Sequence, residues 1–358
     1  MSHTRPVTPG TIRAVVAAMM LWLVAALAGC AAGDASGSAG SIALLLPDAK
    51  TARYETFDRP YFEARVAELG DYDVLYSNAD QDAAKQQQQA ESALAAGVDV
   101  LVLDPVDVRA AVSIVAEANA QGVPVVSYDR LVAGGDIAYY VSFDNEKVGR
   151  LQAEALVEAM AANGTEDLGI LMVNGSPTDS NATSFARGAR QVLEEAGLRI
   201  LADYATPDWS PDKAQDWVAG QVAQYGDEIG AVYAANDGTA SGAVSALKAA
   251  NVDPWPVVTG QDAELSAVQR LVAGDQYMTV YKAMKPQAEL AAEVAVALIE
   301  GEEVSAPMDL DGTPTTLLDP VAVTVDDILD TIVADGFWTV DDICTPEYEA
   351  ACEKAGLR

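Results

Sequence analysis

The feature that most constrains the fold is a regular alternation of short apolar runs and amphipathic segments between Ser41 and about residue 325. The apolar runs have the length of buried strands, as in VDVLVLDP at 98–105. The amphipathic segments repeat their apolar residues at helical spacing, as at 60–70 and 83–96. Strands that alternate with helices in this way indicate βαβ units and parallel sheets covered on both faces.

The length of this pattern indicates two lobes. Nearly 300 residues are too many for one sheet, so we predict an α/β fold of two doubly wound parallel-sheet lobes. The chain has no Pro- or Gly-rich linker between them, which predicts short crossovers. A QQQQ run at 86–89 lies inside a helical pattern and is predicted to face solvent.

The N-terminus has the pattern of an export signal. Residues 1–13 are basic, and residues 14–28 form an apolar run of 15 residues, whereas roughly 20 are needed to span the hydrocarbon core. A basic start, a short apolar run and small residues predict a signal peptide over 1–29.

The tetrapeptide LAGC that ends at Cys30 resembles the lipobox of bacterial lipoproteins. That resemblance implies cleavage before Cys30, lipidation of its thiol and anchoring at the outer face of a membrane, or in a periplasm. Residues 30–40 are rich in Gly, Ser and Ala and are expected to form a flexible tether. The alternative is an ordinary secretory signal with an incidental cysteine.

Composition excludes several functions. The net charge of −33 argues against nucleic acid, whose phosphates require Lys and Arg. The single histidine, His3, lies in the predicted signal. A processed chain would therefore have no Ser-His-Asp or Cys-His catalysis and no His-ligated metal. We expect no cofactor and no metal.

Cys344 and Cys352 lie eight residues apart near the C-terminus. In an exported chain this spacing favours a disulfide that closes a small loop. Two buried thiols are the alternative.

Polar and aromatic residues follow many of the predicted strands, as in YDR at 128–130, AND at 235–237 and GQD at 260–262. Any one of them could simply cap the next helix. Together they gather at the carboxyl ends of parallel strands, where ligands bind in such sheets. Carboxylates, amides and guanidinium groups suit sugar hydroxyls, and an aromatic ring such as Trp209 or Tyr54 can stack on a pyranose.

Six segments carry a family resemblance: VPVVSYDRLV, YYVSFDNEKVGRLQAEALV, NGSPTDSNA, ANDGTASGAVSAL, VVTGQDAEL and QYMTVYK. In this order and spacing the chain resembles the sugar-binding proteins of ABC importers, of the ribose/galactose/xylose type. The likeness is nearest to the xylose-binding and multiple-sugar chemosensory members. It covers about residues 41 to 338.

The resemblance implies a type I periplasmic-binding fold, whose two lobes close on the ligand around three crossovers. The crossovers are expected after SFDN at 142–145, near 283 and near 310–318. The implied organisation is an N-terminal lobe (41–144 plus 283–312), a C-terminal lobe (145–282 plus 313–340) and a tail (341–358).

The resemblance also implies the sugar-binding residues. Guanidinium groups would donate to the ligand, carboxylates would accept, asparagines would do both, and the lysine would donate or hold a carboxylate. The residues are Arg53, Tyr54, Asp129, Arg130, Asn181, Trp209, Asn236, Asp262 and Lys282. Tyr54 stands where xylose-binding relatives usually have Trp, and Ser180 where relatives often have Asn.

The implied function is capture of a monosaccharide, with xylose favoured, and its delivery to an ABC permease and its ATPase by a monomeric protein. The alternative is a sugar sensor for a chemoreceptor or histidine kinase. An enzyme, such as a glycosidase using Asp129 and Asp262, is disfavoured because Arg and Asn neighbours would keep both carboxylates ionised. The export signal also argues against a cytosolic repressor.

Overall fold

The computed structural model describes residues 38–358. The predicted signal at 1–29, Cys30 and most of the predicted tether lie outside the described residues. Within 38–358, no helix combines the length and the apolar character that a membrane crossing requires.

The first half of the chain alternates strands and helices as the sequence predicts, with a π-helical turn at Tyr54–Asp58 leading into the first helix. The elements are β1 (Gly40–Leu46), α1 (Arg59–Leu69), β2 (Tyr72–Asn78), α2 (Ala83–Ala96), β3 (Val100–Leu103), α3 (Val112–Ala120), β4 (Val125–Tyr128) and β5 (Tyr139–Phe143).

Strands and helices continue to alternate in the second half of the chain, which then returns to the first lobe. The elements are α4 (Asn145–Asn163), β6 (Gly169–Asn174), α5 (Ser180–Glu195), β7 (Arg199–Ala205), α6 (Pro211–Tyr225), β8 (Ile229–Ala234), α7 (Asp237–Ala249), β9 (Val257–Val258), α8 (Leu265–Ala273), β10 (Met278–Tyr281), α9 (Met284–Ile299), β11 (Met308–Leu310), β12 (Thr313–Leu318), β13 (Val321–Thr324), α10 (Val340–Ile343) and α11 (Glu349–Ala355).

The strands form two main sheets, one in each lobe. The first has the order β11-β12-β5-β4-β3-β1-β2 and is parallel except for the antiparallel β11–β12 pair. The second has the order β7-β6-β8-β9 and is parallel throughout. A two-stranded antiparallel ribbon joins β10 to β13. The prediction of an α/β fold with two parallel-sheet lobes is confirmed.

The third crossover differs from the prediction. Residues from 313 onward were expected in the second lobe, but β12 pairs in parallel with β5, from Thr315 opposite Tyr140 to Leu318 opposite Phe143. The chain therefore leaves the first sheet only after Leu318. Strand pairing, which the local pattern does not report, decides this boundary.

Helix α9 returns to the first lobe and covers one face of its sheet. Its buried alanines, including Ala288 and Ala292, pack in one cluster with Ile42 and Leu44 of β1. Small side chains on this face allow the helix backbone to approach the strands closely. This packing carries Gln287, on the same helix, into the interior beside the cleft.

Two glycines set the crossing of α4 and α5 in the second lobe. A Cβ atom at Gly149 would lie 2.0 Å from the carbonyl oxygen of Phe185, and one at Gly188 would lie 2.0 Å from that of Glu146. The two helices are therefore closer than any side chain permits. Their contact fixes the first turns of α5, which contribute Asn181 and Phe185 to the cleft.

One glutamine of the QQQQ run contradicts the predicted solvent exposure. Gln86 is buried, its Nε2 donates to the carbonyl of Asp104 at 2.8 Å, and its Oε1 accepts from the amide of Val106 at 2.9 Å. It therefore fixes the loop that follows β3 at the cleft edge.

The C-terminal tail is closed by a disulfide between Cys344 and Cys352. Both cysteines belong to an apolar cluster that includes Val268 and Leu271 of α8. The ring of Phe337 stacks on Phe57, which follows β1, with centroids 3.9 Å apart. The apolar cluster that holds the tail therefore contains residues of both lobes.

Candidate functional site

A small cavity lies between the two lobes. The structure brings all nine predicted site residues to its wall, where each is 6 % exposed or less. The first lobe contributes four of them, and the second lobe with the second crossover contributes five. They are Arg53, Tyr54, Asp129 and Arg130, and then Asn181, Trp209, Asn236, Asp262 and Lys282.

Arg53 is held in place before any ligand arrives. Its Nε and Nη2 donate to the two oxygens of Asp58 at 2.8 and 2.7 Å, and Nη2 also donates to Gln287 Oε1 at 2.8 Å. The hydroxyl of Tyr128 bonds to Asp58 from behind. The remaining nitrogen, Nη1, lies 3.1 Å from Asp129 Oδ1. It is the atom that the guanidinium presents to the cavity.

Asp129 is poised as an ionised acceptor. Burial by itself raises the pKa of its carboxyl, but the surrounding cations, led by Arg53, outweigh burial and lower that pKa. Its Oδ1 is occupied by Arg53. The second oxygen of Asp129 is therefore the one suited to accept from a ligand.

Arg130 joins three parts of the cleft wall. Its Nε lies 2.8 Å from Asp179 Oδ2, its Nη1 donates to the carbonyl of Pro105 at 3.0 Å, and its Nη2 donates to the hydroxyl of Tyr54 at 3.0 Å. Asp104 lies beneath it, with Oδ1 3.5 Å from Nε. Burial raises the pKa of both Asp104 and Asp179 in spite of this cation.

Trp209 forms an aromatic wall. Its Nε1 donates to Asp179 Oδ2 at 3.0 Å, and its ring meets Phe185 edge to face with centroids 6.3 Å apart. A Cβ atom at Gly175 would lie 1.9 Å from Cη2 of the indole, so only glycine leaves room for this ring. The ring's position is set from three sides, as a stacking platform requires.

Two asparagines supply amide groups from the second lobe. The Oδ1 of Asn181 accepts from Asn145 Nδ2 at 2.9 Å, and its Nδ2 donates to the carbonyl of Asp129 at 3.1 Å. Asn236 caps α7 through Oδ1, which accepts from the amide of Thr239 at 2.8 Å. The Asn236 cap uses the side-chain oxygen and leaves the amide nitrogen for donation.

Lys282 and Asp262 form a buried ion pair at 2.8 Å. Lys282 follows β10 at the second crossover, and its Nζ also lies 5.6 Å from the ring centre of Phe143. The pair neutralises both charges before a ligand binds.

Three of the nine site residues have left-handed backbone conformations that non-glycine residues rarely adopt. The φ angles are 56° at Asp129, 53° at Trp209 and 95° at Asp262. Such strain persists only where the surrounding structure enforces it, and it concentrates at functional sites. Here it directs polar side chains toward one cavity.

Sequence reasoning missed four residues of the cavity wall: Thr51, Asp179, Phe185 and Gln261. Asp179 and Gln261 stand within quoted motifs, beside Asn181 and Asp262. Phe185 is four residues after Asn181, so it lies on the same helix face. Helical spacing could have found Phe185.

The wall carries three carboxylates and three cations, from Asp129, Asp179, Asp262, Arg53, Arg130 and Lys282. Paired buried charges, fixed amides and an aromatic platform between two hinged lobes define a binding protein for a small polar solute. The chain belongs to the periplasmic binding protein family, because the model described as a periplasmic binding protein domain matches residues 42–303.

Two relatives extend this result. The D-xylose-binding periplasmic protein of Escherichia coli (strain K12) is 36 % identical over 304 residues, which cover 83 % of this chain and 90 % of the relative. The protein of the same description from Haemophilus influenzae is 35 % identical over 310 residues, with coverages of 84 % and 91 %.

A solved structure agrees with the fold. The ABC transporter solute-binding protein from Clostridium phytofermentans, with bound β-D-glucose, superposes with a TM-score of 0.78 at 27 % identity and covers 85 % of this chain and 99 % of its own. The homologues are binding proteins and the fold is a binding-protein fold. This confirms the prediction that the chain is not an enzyme.

Proposed function

We propose that the protein captures a monosaccharide, with xylose favoured, between its two lobes and delivers it to an ABC importer. The observation that carries this proposal is the cavity wall, where fixed donors and acceptors from both lobes face one small cavity. Sugars present several hydroxyls, each both donor and acceptor, and so match such a wall.

Charge balance favours a neutral ligand. All three cations of the wall are already engaged by buried carboxylates, Arg53 by Asp58 and Asp129, Arg130 by Asp179, and Lys282 by Asp262. An ionised ligand would add an unpaired charge to a buried site, which is strongly unfavourable. Sugar acids and sugar phosphates are therefore disfavoured.

Size favours one sugar ring. The cavity between the lobes is small, which disfavours a ligand larger than a single ring. The names of the two relatives support xylose, while the glucose-bound structure makes a hexose the principal competitor.

Delivery would depend on lobe closure. Three short crossovers, at 144–145, 282–283 and 319–320, connect the lobes and can act as a hinge. A ligand that contacts both lobes favours the closed form, which a permease can distinguish from the open one.

The test is calorimetric titration of the full chain, kept soluble in mild detergent, with xylose, glucose, arabinose, galactose and ribose. We expect binding of one sugar at micromolar affinity or tighter, and loss of that binding in Trp209→Ala. Trp217→Ala is the matched control, because Trp217 stacks on Tyr204 away from the cavity. Absence of binding across the panel, in folded protein free of carried-over sugar, would contradict the proposal.

Anchoring through Cys30 has its own test. In cells, the wild-type chain should take up labelled fatty acid and fractionate with membranes, and Cys30→Ser should do neither. Labelling that persists in Cys30→Ser would rule out this cysteine as the anchor.

A further inference from the structure

Most polar groups in the cavity wall already have protein partners. The indole N–H of Trp209 is used by Asp179, and the carbonyl oxygen of the Asn236 side chain is used by the amide of Thr239. Asn181 both accepts from Asn145 and donates to the Asp129 carbonyl. These groups bring only part of their hydrogen-bonding capacity to a ligand.

Gln261 differs from them. It lines the cavity and is 3 % exposed, yet its side-chain Oε1 is buried with no hydrogen-bond partner among residues 38–358. A buried carbonyl oxygen left unpaired is unfavourable, and native proteins seldom tolerate one without a reason. A ligand hydroxyl is the donor that this position lacks.

The backbone at Gln261 holds the side chain at the cavity. Its carbonyl accepts from the amide of Asp237 at 3.0 Å, and the residue forms a β-bridge with Val280. The next residue, Asp262, is fixed by its ion pair with Lys282. Constraints on both sides leave little freedom to turn the amide away.

We infer that Gln261 is a ligand-contacting, specificity-determining residue whose Oε1 accepts a hydrogen bond from one hydroxyl of the sugar. This inference rests on the proposed function. Its consequence is selective, because an analogue that lacks that hydroxyl, or carries fluorine in its place, cannot donate to Gln261.

Gln152 provides a matched control. It is also a fully buried glutamine of the second lobe, its Oε1 also lacks a partner within the described chain, and it stands apart from the residues lining the cavity. Replacing either glutamine by Met keeps the length of the side chain and removes its amide. Only the change at Gln261 should alter ligand recognition.

The experiment titrates four full-length proteins: wild type, Gln261→Met, Gln261→Asn and Gln152→Met. Each is titrated with the sugar of the panel that binds the wild type most tightly, and with each monodeoxy analogue of that sugar. Circular dichroism and thermal unfolding check that each variant is folded. Gln261→Asn retains an amide and retracts the oxygen by one carbon, so it serves if Gln261→Met does not fold.

We expect both Gln261 variants to bind the parent sugar roughly tenfold more weakly. One monodeoxy analogue should bind wild type and the Gln261 variants almost equally, which identifies the hydroxyl concerned. Equal losses for every analogue, unchanged affinity in the variants, or the same effect in Gln152→Met would overturn the inference. A wild type that binds no sugar would instead reject the proposed function, and the inference with it.

Discussion

The hydroxyl of Thr178, in the second lobe, donates to the carbonyl of Val106, in the first lobe, at 3.1 Å. Nearby, the carbonyl of Thr178 accepts from the amide of Val108 at 3.1 Å, and Ser180 Oγ accepts from the amide of Leu131 at 3.0 Å. These bonds join the lobes outside the cavity wall. They stabilise the closed form without contributing to the choice of ligand.

Thr178→Val should therefore weaken binding of every sugar by the same factor. Loss of one hydrogen bond from the closed form corresponds to an affinity that is about two- to tenfold lower. Calorimetry with two different sugars measures both affinities and their ratio, which should stay constant. Thr183→Val, at an exposed position of α5, is the control. A changed ratio would mean that Thr178 takes part in recognition.

Gly175→Ala should disturb the Trp209 platform. The new methyl would lie 1.9 Å from the indole, so the ring must move away from its bond to Asp179. We expect sugar affinity to fall by at least about tenfold, as for loss of a well-placed contact. Gly220→Ala, on α6 where an added Cβ meets nothing within 4 Å, should leave affinity unchanged. Equal affinities for wild type and Gly175→Ala would show that the indole position is unimportant.

That the nine residues gather at one cavity could be anticipated from the resemblance to the sugar-binding proteins of ABC importers, and the segments that carry them follow predicted strands. The direction in which each side chain points could not be predicted from the sequence. Gln261 precedes Asp262 in the same motif, but an alternating pattern alone does not reveal that both reach the cavity wall. The left-handed backbone conformation at Asp262 is what places both side chains at the wall.

Two other differences from the predictions also arise because tertiary contacts override the local sequence pattern. Gln86 lies in a polar run that favours solvent, yet it is buried because the loop from Asp104 to Val106 needs a donor and an acceptor. Strand β12 lies within the stretch predicted to cross to the second lobe, yet it pairs with β5 of the first. Local sequence reports periodicity and propensity, and neither one specifies a partner.

Removing the Cys344–Cys352 disulfide should destabilise the protein. The bond closes a loop of eight-residue separation, for which chain entropy alone predicts about 2–3 kcal/mol. Urea unfolding of wild type, with and without reductant, and of the Cys344→Ser/Cys352→Ser double variant measures this loss. Reductant should have no further effect on the double variant. Unchanged stability on reduction would show that the apolar packing of the tail is sufficient.

Two carboxyls of the second lobe, the buried Asp237 and the half-buried Glu264, should make stability depend on pH. Burial raises the pKa of Asp237 to about 7 and that of Glu264 to about 8. The amide of Glu264 donates to Asp237 Oδ2 at 2.9 Å, and the neighbouring charges are Asp262 and Arg270. In the unfolded chain such carboxyls have pKa values near 4. Between about pH 4 and 8 the folded state therefore binds more protons.

Because the folded state holds these protons, the free energy of unfolding should fall as pH rises from about 5 to 8 and level off above about 9, by up to about 1.4 kcal/mol per pH unit for each carboxyl. Urea unfolding across this range measures the slope. Asp237→Asn and Glu264→Gln should each flatten it, and Glu347→Gln, which changes an exposed carboxyl, should not. A slope of opposite sign, or one that neither variant reduces, would mean that both carboxyls remain ionised in the fold.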